Sequence, residues 1–441
     1  MSSEKAKLPA KGIPRQEILE EMKQLHKDDA NWREGRTWSL VYYAGEEHTN
    51  FLKSAYTEFF SENGLSPMAF PSLKKFEKEV VAMTADMLGG GDDATGSMTS
   101  GGSESILMAV KTHRDWFRAV RPEIKESEMI LPASVHPAFE KAAHYFDIKP
   151  VHIPLRADLR ADVDAVRQAI NKNTILIVGS APCYPYGLVD PIAEMAAAAA
   201  EHGIGMHVDA CLGGYLLPFA KKLGYPIPDF DFSVPGVTSI SADVHKYGFA
   251  AKGASTVLYR NAEIRRHQFF VYSEWCGGMY LSPTMTGTRP AGAIGAAWAT
   301  LRAMGEDGYI RNAERIMKTA KALMDGVNAI PGLYVLGKPD MSVFAFTSDE
   351  MNIFAVGDGM EARGWHIDWQ QKPSALHVMV TMAHEGVIKQ FLSDLRESVE
   401  HVRAHPSTAS EGSAPLYGMM ATVPDRMMVR DFIMNVMDDV F

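Results

Sequence analysis

Three short segments hold residues whose types and spacing could do chemistry. The first, Thr99-Ser100-Gly101-Gly102-Ser103-Glu104-Ser105, stands just before a helical pattern. Small residues let backbone amides approach an anion, and a helix N-terminus adds unpaired N–H groups and a favourable dipole. The segment lacks the third glycine of a dinucleotide fingerprint and the Gly-Lys-Ser/Thr of a P-loop. Read alone, it serves equally well as a plain helix start capped by Ser100 or Ser103. The second, His207-Val208-Asp209-Ala210, ends a short apolar run. An acid at the carboxyl end of a parallel strand points into the ligand crevice of an α/β sheet; alone, Asp209 reads as a helix cap. The third, Ser239 to Gly248, follows another such run and sets Lys246 among small, aromatic and glycine neighbours. A poorly solvated lysine loses pKa and becomes an amine nucleophile, whereas a single lysine is by default a surface residue.

Together the segments meet the needs of pyridoxal 5'-phosphate. Its phosphate needs an anion cradle, its pyridine nitrogen a carboxylate, and its aldehyde a lysine for the Schiff base. Ser100 to Ser103, Asp209 and the pair His245-Lys246 supply these in that chain order, which is also the order of fold-type I pyridoxal enzymes.

The elements around them point to an α/β fold. Phe76 to Leu88 and Ser105 to Val120 read as helices. Short β-branched runs at Met129–Leu131, Val151–Pro154, Thr174–Gly179, Gly205–Asp209, Val237–Ser241 and Ala254–Tyr259 read as strands. Short apolar strands separated by helical patterns predict a mostly parallel sheet covered on both faces. Ala291 to Ala303 and Arg311 to Val327 read as two further helices. Strands at Leu333–Leu336, Val343–Thr347 and Leu376–Thr381 and a helix over Val387–His401 predict a smaller C-terminal α+β domain. We divide the chain into an N-terminal segment (1–65), a large cofactor-binding domain (66–304) and a small domain (305–441). Ile18, Met22 and Leu25 form one helical stripe, expected to pack on the body of the protein. The stretch holding Gly412, Pro415, Gly418 and Pro424 is expected to be a surface-packed tail.

Composition sets the outer limits. With 441 residues, 46% apolar and 22% charged, the chain can bury a large core, and it is neither a disordered tail nor a disulfide-stapled mini-protein. A net charge of −10 speaks against general nucleic-acid binding. Cys183, Cys211 and Cys276 are odd in number and widely spaced, which disfavours disulfides and zinc and fits a reducing cytoplasm. No signal peptide and no membrane span are expected.

The chain resembles the sphingosine-1-phosphate lyases, within the group II decarboxylase-like pyridoxal enzymes. The resemblance rests on the 99–109 segment, on His207 to Gly214, on Gly236 to Asp243 running on to His245-Lys246-Tyr247-Gly248, and on Trp275, Gly277-Gly278, Ser282-Pro283-Thr284, Gly287, Arg289-Pro290 and Leu416-Tyr417-Gly418-Met419. It implies that Lys246 carries the cofactor, Asp209 pairs with the pyridine nitrogen, and His136 stacks on the ring. It implies that Gly102, Ser103 and His245 hold the cofactor phosphate. Gly287 and Thr288 would reach that phosphate from a neighbouring subunit, which makes a homodimer with shared active sites. Lys252 and Tyr43, chosen over Tyr42 by its spacing to Gly45, would meet a substrate phosphate. Tyr184 would lie near the scissile bond. The implied reaction is retro-aldol cleavage of a phosphorylated long-chain base, with Lys246 and Tyr184 as candidate bases. Two positions depart from the eukaryotic pattern: Ser66 and Tyr186 each stand where that form has histidine. They keep open an amino-acid decarboxylase on the same scaffold; an inactive cofactor-binding scaffold is the third reading.

Overall fold

The apolar runs become strands, and the strands become one large sheet. This computed structural model describes residues 6–66, 68–407, 412, 423 and 425–440. Thr95–Thr99 (β1), Glu128–Pro132 (β2), Lys149–Ile153 (β3), Thr174–Ser180 (β4), Gly205–Asp209 (β5), Ser239–Ala242 (β6) and Ser255–Tyr259 (β7) pair in the order β1-β7-β6-β5-β4-β2-β3. Strands β2 to β6 are parallel, and β7 runs antiparallel to its neighbours β6 and β1. Every residue of β2, β4, β5 and β7 is buried, as expected when helices cover both faces. All six expected strands are present within one or two residues. The unexpected strand is β1, whose Thr-Gly-Ser-Met-Thr sequence has no apolar run.

Helices Arg15–Leu25 (α1), Glu46–Glu58 (α2), Pro71–Met87 (α3), Gly102–Val120 (α4), Ala138–Phe146 (α5), Val163–Ala169 (α6), Ile192–Glu201 (α7), Leu217–Lys222 (α8) and Ala262–Arg265 (α9) precede a hairpin of Phe270–Tyr272 (β8) and Tyr280–Ser282 (β9). Ala291–Asn328 (α10) is a helical stretch broken into the two helices expected. The break is at Gly305, which adopts φ 59° and ψ 174°, non-helical backbone with a left-handed φ that favours glycine. The first half of α10 packs in the main core with Ile294, Ala297 and Leu301, joined by Ala313 and Ile316 from the start of the second. Its second half joins a second core through Ala320, Leu323 and Val327.

That second core lies beneath an antiparallel sheet of Tyr334–Val335 (β10), Val343–Thr347 (β11), Asp368–Gln371 (β12) and Ser374–Met379 (β13), in the order β10-β11-β13-β12. Ile353–Glu361 (α11) and Ile388–Ala404 (α12) complete it, and Arg426–Val440 (α13) follows. Trp38, from the N-terminal segment, is fully buried there and stacks on His384 at 4.1 Å. The N-terminal segment therefore threads into the C-terminal core.

One expectation fails. Helix α1 has no buried residue, and its stripe of Ile18, Met22 and Leu25 is exposed. The helix forms from its 3.6-residue pattern, but no described part of this chain lies opposite that stripe. Of the four residues that mark the expected tail, Gly412 alone is described; Leu416 to Met419, which carried part of the resemblance, fall outside the described residues.

Two buried histidines give the fold a pH dependence. Burial holds His113 and His384 down at about 4, against hydrogen bonds to backbone carbonyls that favour the charged form. The unfolded chain takes up their protons near 6.5, so it binds more protons than the folded one between about 6.5 and 4. Their contribution is complete above 6.5 and lost as pH falls toward 4, at up to roughly 3 kcal/mol per histidine. Thermal unfolding followed at pH 7, 6 and 5 should show a falling Tm; a level Tm would contradict it.

Candidate active site

The carboxyl ends of β4, β5 and β6 and the N-terminus of α4 open into one cavity of about 530 Å³. Ser180 ends β4, Asp209 ends β5, and Asp243 follows β6 directly. Parallel register sets Asp209 opposite Ser241 on the neighbouring strand. This is the crevice where open α/β sheets bind ligands.

The glycine segment turns from β1 into α4 and lines this cavity from Ser100 to Ser103. No side chain caps the helix, so the capping role open to Ser100 and Ser103 is not realised. The first-turn amides are left for a ligand. Glu104 instead braces the turn: its carboxylate accepts from the Ser100 amide at 2.6 Å and the Met285 amide at 3.0 Å. A Cβ on Gly102 would stand 2.7 Å from Asp243 Oδ2 and 3.0 Å from Cys211 Sγ. Only glycine lets the helix start approach that carboxylate so closely.

Asp209 is buried, and its Oδ1 accepts from the Cys211 amide at 3.0 Å and from Ser241 Oγ at 3.4 Å. Lys246 Nζ lies 2.9 Å from Asp243 Oδ2. Poor solvation was expected to lower the lysine's pKa; the structure corrects this. Burial does work against its charge, but Asp243 and the more distant Asp209 hold the ammonium above its ordinary range. Asp243 is itself 1% exposed and accepts from Ser255 Oγ at 2.5 Å. Burial works against its ionised form, yet Lys246 and His245 keep its carboxyl below the usual range. Sequence reasoning passed over Asp243, although it lies three residues before Lys246 in the same segment.

Two imidazoles flank these charges. His136 accepts from the Ala138 amide through Nδ1 at 3.1 Å and lines the cavity. Burial lowers its pKa, partly offset by Asp209, so a neutral ring faces the cavity. His245 Nδ1 bonds the Ala254 carbonyl at 2.8 Å, which makes Nδ1 the protonated nitrogen. Its Nε2 stands 3.8 Å from Asp243 Oδ2, and its ring lies beside Gly101.

The opposite wall comes from the C-terminal sheet and the N-terminal segment. Tyr184 Oη donates to Asp368 Oδ2 at 2.7 Å, and its ring stacks on His377 at 4.2 Å. Ser39 Oγ donates to Asp368 Oδ1 at 2.9 Å. Burial first, then Asp368, push the Tyr184 hydroxyl far above its ordinary pKa. Asp368, Ser39 and His377 were not anticipated. Asp368 sits on β12, whose Asp-Trp-Gln-Gln sequence gives no strand signal.

Lys252 lines the same cavity, with its ammonium 5.1 Å from the centre of the Tyr42 ring. The choice of Tyr43 is corrected. Tyr42 faces the cavity, and Tyr43 turns away to Glu46 and Trp32, because adjacent residues in extended chain point to opposite sides. Gly287 and Thr288 do not line this chain's cavity. Thr288 Oγ1 accepts from Asn63 Nδ2 at 3.2 Å. Tyr186 donates to the Lys372 carbonyl at 2.9 Å and packs in a satellite core, and neither it nor Ser66 lines the cavity. No cluster of described residues could hold a metal ion.

An anion cradle that only glycine can form, an acid at a strand end and a lysine, all on one cavity, fit pyridoxal phosphate and define a pyridoxal-phosphate-dependent enzyme. Comparisons with known proteins agree. Residues 1–348 match the pyridoxal-dependent decarboxylase conserved domain. A sphingosine-1-phosphate lyase of Arabidopsis thaliana is 49% identical, over 98% of this chain and 80% of its own length. One of Rattus norvegicus is 43% identical over 98% and 77%. The solved sphingosine-1-phosphate lyase of Burkholderia pseudomallei superposes with a TM-score of 0.88 at 44% identity, covering 92% of this chain and 94% of that one. The chain belongs to the sphingosine-1-phosphate lyase family, and it is a pyridoxal-phosphate-dependent lyase. A glutamate decarboxylase of Lactobacillus brevis, at 20% identity and a TM-score of 0.80, shares the fold.

Proposed function

We propose that this chain cleaves the C2–C3 bond of a phosphorylated long-chain base to give a long-chain aldehyde and phosphoethanolamine. Lys252 carries this reading. It is a cation on the same cavity as Lys246 and Asp209, partly open to solvent, and no carboxylate lies within ion-pair reach of it among the described residues. An unpaired ammonium facing the cavity is free to meet an anion, and a substrate phosphate supplies a charge-assisted partner. The relatives named above are lyases of such a substrate.

Bound in this cavity, pyridoxal phosphate supplies an electron sink for the carbon next to the substrate amine. The residues of the chain have the following roles. The first-turn amides of Gly102 and Ser103, with His245, would hold the cofactor phosphate. Lys246 Nζ would attach the cofactor, Asp209 would serve its ring nitrogen, and the His136 ring would pack against it. Lys252, with the Tyr42 ring beside it, binds the substrate phosphate. Tyr184 Oη faces the C3 hydroxyl. In the overall reaction that hydroxyl loses its proton, the C2–C3 bond breaks, and C2 gains a proton.

The resemblance sets Gly287 and Thr288 at the cradle of a second copy in a homodimer. Glu104 ties the Met285 amide, on the same loop, to the cradle turn. A monomer by sedimentation at working concentration would end the shared-site reading. The three unpaired cysteines favour a reducing, cytoplasmic setting, and no helix among the described residues is long and apolar enough to cross a membrane.

The test is incubation of cofactor-loaded protein with sphingosine-1-phosphate, with aldehyde and phosphoethanolamine followed by mass spectrometry. Carbon dioxide from amino acids, without aldehyde, would favour the decarboxylase reading. That reading has a relative in the probable L-aspartate decarboxylase of Pyrococcus furiosus, 33% identical over 82% of this chain.

Lys252 also sets a pH dependence. Burial first, then the Lys246 charge, lower it to about 8, against the pull of Asp243. It is an ammonium below about 8 and a neutral amine above. kcat/KM for a phosphorylated substrate, which reports the free enzyme, should therefore fall as pH rises through about 8. Lys252→Gln should raise KM roughly tenfold to a hundredfold, the worth of a hydrogen bond to a charged group, and abolish that limb. An unchanged profile would remove Lys252 from the phosphate site.

A further inference from the structure

We propose that Asp368, acting through Tyr184, is the acceptor for the proton that leaves the C3 hydroxyl. This rests on the proposed function and deepens it, since the base for that step is otherwise unassigned. Tyr184 Oη lines the cavity and donates to Asp368 Oδ2 at 2.7 Å. The other carboxylate oxygen takes the Ser39 hydroxyl at 2.9 Å. His377 stacks on the Tyr184 ring, and its Nε2 donates to the Tyr184 carbonyl at 2.8 Å. A neutral imidazole carrying its proton on Nε2 has only a lone pair at Nδ1. Burial holds this ring at about 4, so it is neutral at working pH. Nδ1, 3.9 Å from Asp368 Oδ2 and without a hydrogen bond, gives the carboxylate no proton. Both hydrogen-bonded groups on Asp368 are thus hydroxyls, both line the cavity, and Tyr184 is the one the proposed function sets at the C3 hydroxyl.

A tyrosine acting alone would need to become a phenolate. Burial and the neighbouring Asp368 oppose that strongly, and Lys246 offsets them only in part. The other ionisable group facing it is Tyr42, whose own hydroxyl burial pushes well up. A relay avoids the phenolate. Tyr184 Oη accepts the C3 hydroxyl proton while its own proton passes to Asp368 Oδ2. The O–H electron pair becomes the C=O bond of the aldehyde, and the C2–C3 pair stays on C2. Once the aldehyde has left, the proton returns by the same hydroxyl to C2. The step is redox-neutral and consumes no co-reactant. Asp368 lines the same cavity, but its Oδ2 is taken by the Tyr184 hydroxyl, through which it acts as a positioning and proton-storing residue. Its place on β12 means that the small C-terminal sheet completes the machinery of the large one.

The test compares wild type, Asp368→Asn, Tyr184→Phe and the double variant, with cofactor binding measured in each. Asparagine keeps the volume but cannot take up a proton. Asp368→Asn should lower kcat on the order of 10²- to 10⁴-fold, the usual share of a general base, with KM within about threefold. The double variant should be no worse than Tyr184→Phe, because the two act as a unit. Ser39→Ala should cost less than about tenfold. Apart from turnover, the ring-carbon NMR signal of Tyr184, assigned with Tyr184→Phe, should shift in Asp368→Asn when the carboxylate contact is lost. Aldehyde formed by Asp368→Asn at a rate near wild type would overturn the relay alone. No aldehyde from wild type, with the NMR shift present, would overturn the substrate reading and leave the Tyr184–Asp368 contact standing.

Discussion

Lys246→Ala should abolish the absorbance of the lysine-bound cofactor and lower turnover on the order of 10³-fold or more. No other amine is placed to replace it. Lys252 lies on the same cavity but against the Tyr42 ring, away from the Asp243 carboxylate. The substitution should also destabilise the protein without cofactor. Asp243 is 1% exposed, and Lys246 Nζ at 2.9 Å is its nearest cation. Removing one partner of such a pair costs about 3–5 kcal/mol, with the lower end apt here because the Lys246 side chain is 24% exposed. This gives a way to separate chemistry from folding. Lys246→Ala with Asp243→Asn removes both charges, so it should regain much of the lost stability while remaining inactive. Recovery of turnover in that double variant, or persistence of the cofactor absorbance in Lys246→Ala, would refute the assignment.

Asp209→Asn should leave the cofactor bound and attached to Lys246 but lower kcat roughly 10²- to 10³-fold, the worth of one preorganised electrostatic contact. The change keeps the shape of the side chain. It removes the negative charge that would hold a proton on the ring nitrogen, and with it much of the ring's capacity to withdraw electrons. The Cys211 amide, which donates to Asp209 Oδ1 at 3.0 Å, can donate to an asparagine oxygen as well, so the β5 end should hold its place. The discriminating comparison is kcat against cofactor affinity. A loss confined to affinity would make Asp209 a mere anchor, and an unchanged kcat would exclude the pairing altogether.

Why were these residues readable from the sequence, while Asp368 was not? Asp209 and Lys246 follow buried parallel strands, and such strands announce themselves as apolar runs. The cradle is visible because a close backbone approach requires glycine, as the space at Gly102 shows. Asp368 lies on a short, half-buried antiparallel strand of polar residues, which no periodicity distinguishes from a loop. Tyr42 and Tyr43 differ only in the side of an extended chain they face, which spacing alone cannot decide. The exposed α1 stripe shows the reverse limit: an amphipathic pattern tells that a helix has an apolar face, not that this chain covers it. The break in α10 was legible because glycine readily leaves the helical region, and Gly305, at φ 59° and ψ 174°, ends one helix before the next begins.

The position of β1 bears on how the protein is made. The strand that leads into the cradle lies at the sheet edge and pairs only with β7, Thr99 opposite Ser255. During synthesis residues 95–99 therefore have no strand partner until residues 255–259 have emerged. Such a long wait is slow to close and exposes an unpaired strand. An apolar edge strand would be an aggregation hazard over that interval. The polar Thr-Gly-Ser-Met-Thr sequence of β1, the feature that hid it from sequence reading, lets it wait in water. Cofactor capture thus becomes a late event in the life of the nascent chain, because the phosphate cradle cannot take shape until nearly the whole large sheet has left the ribosome.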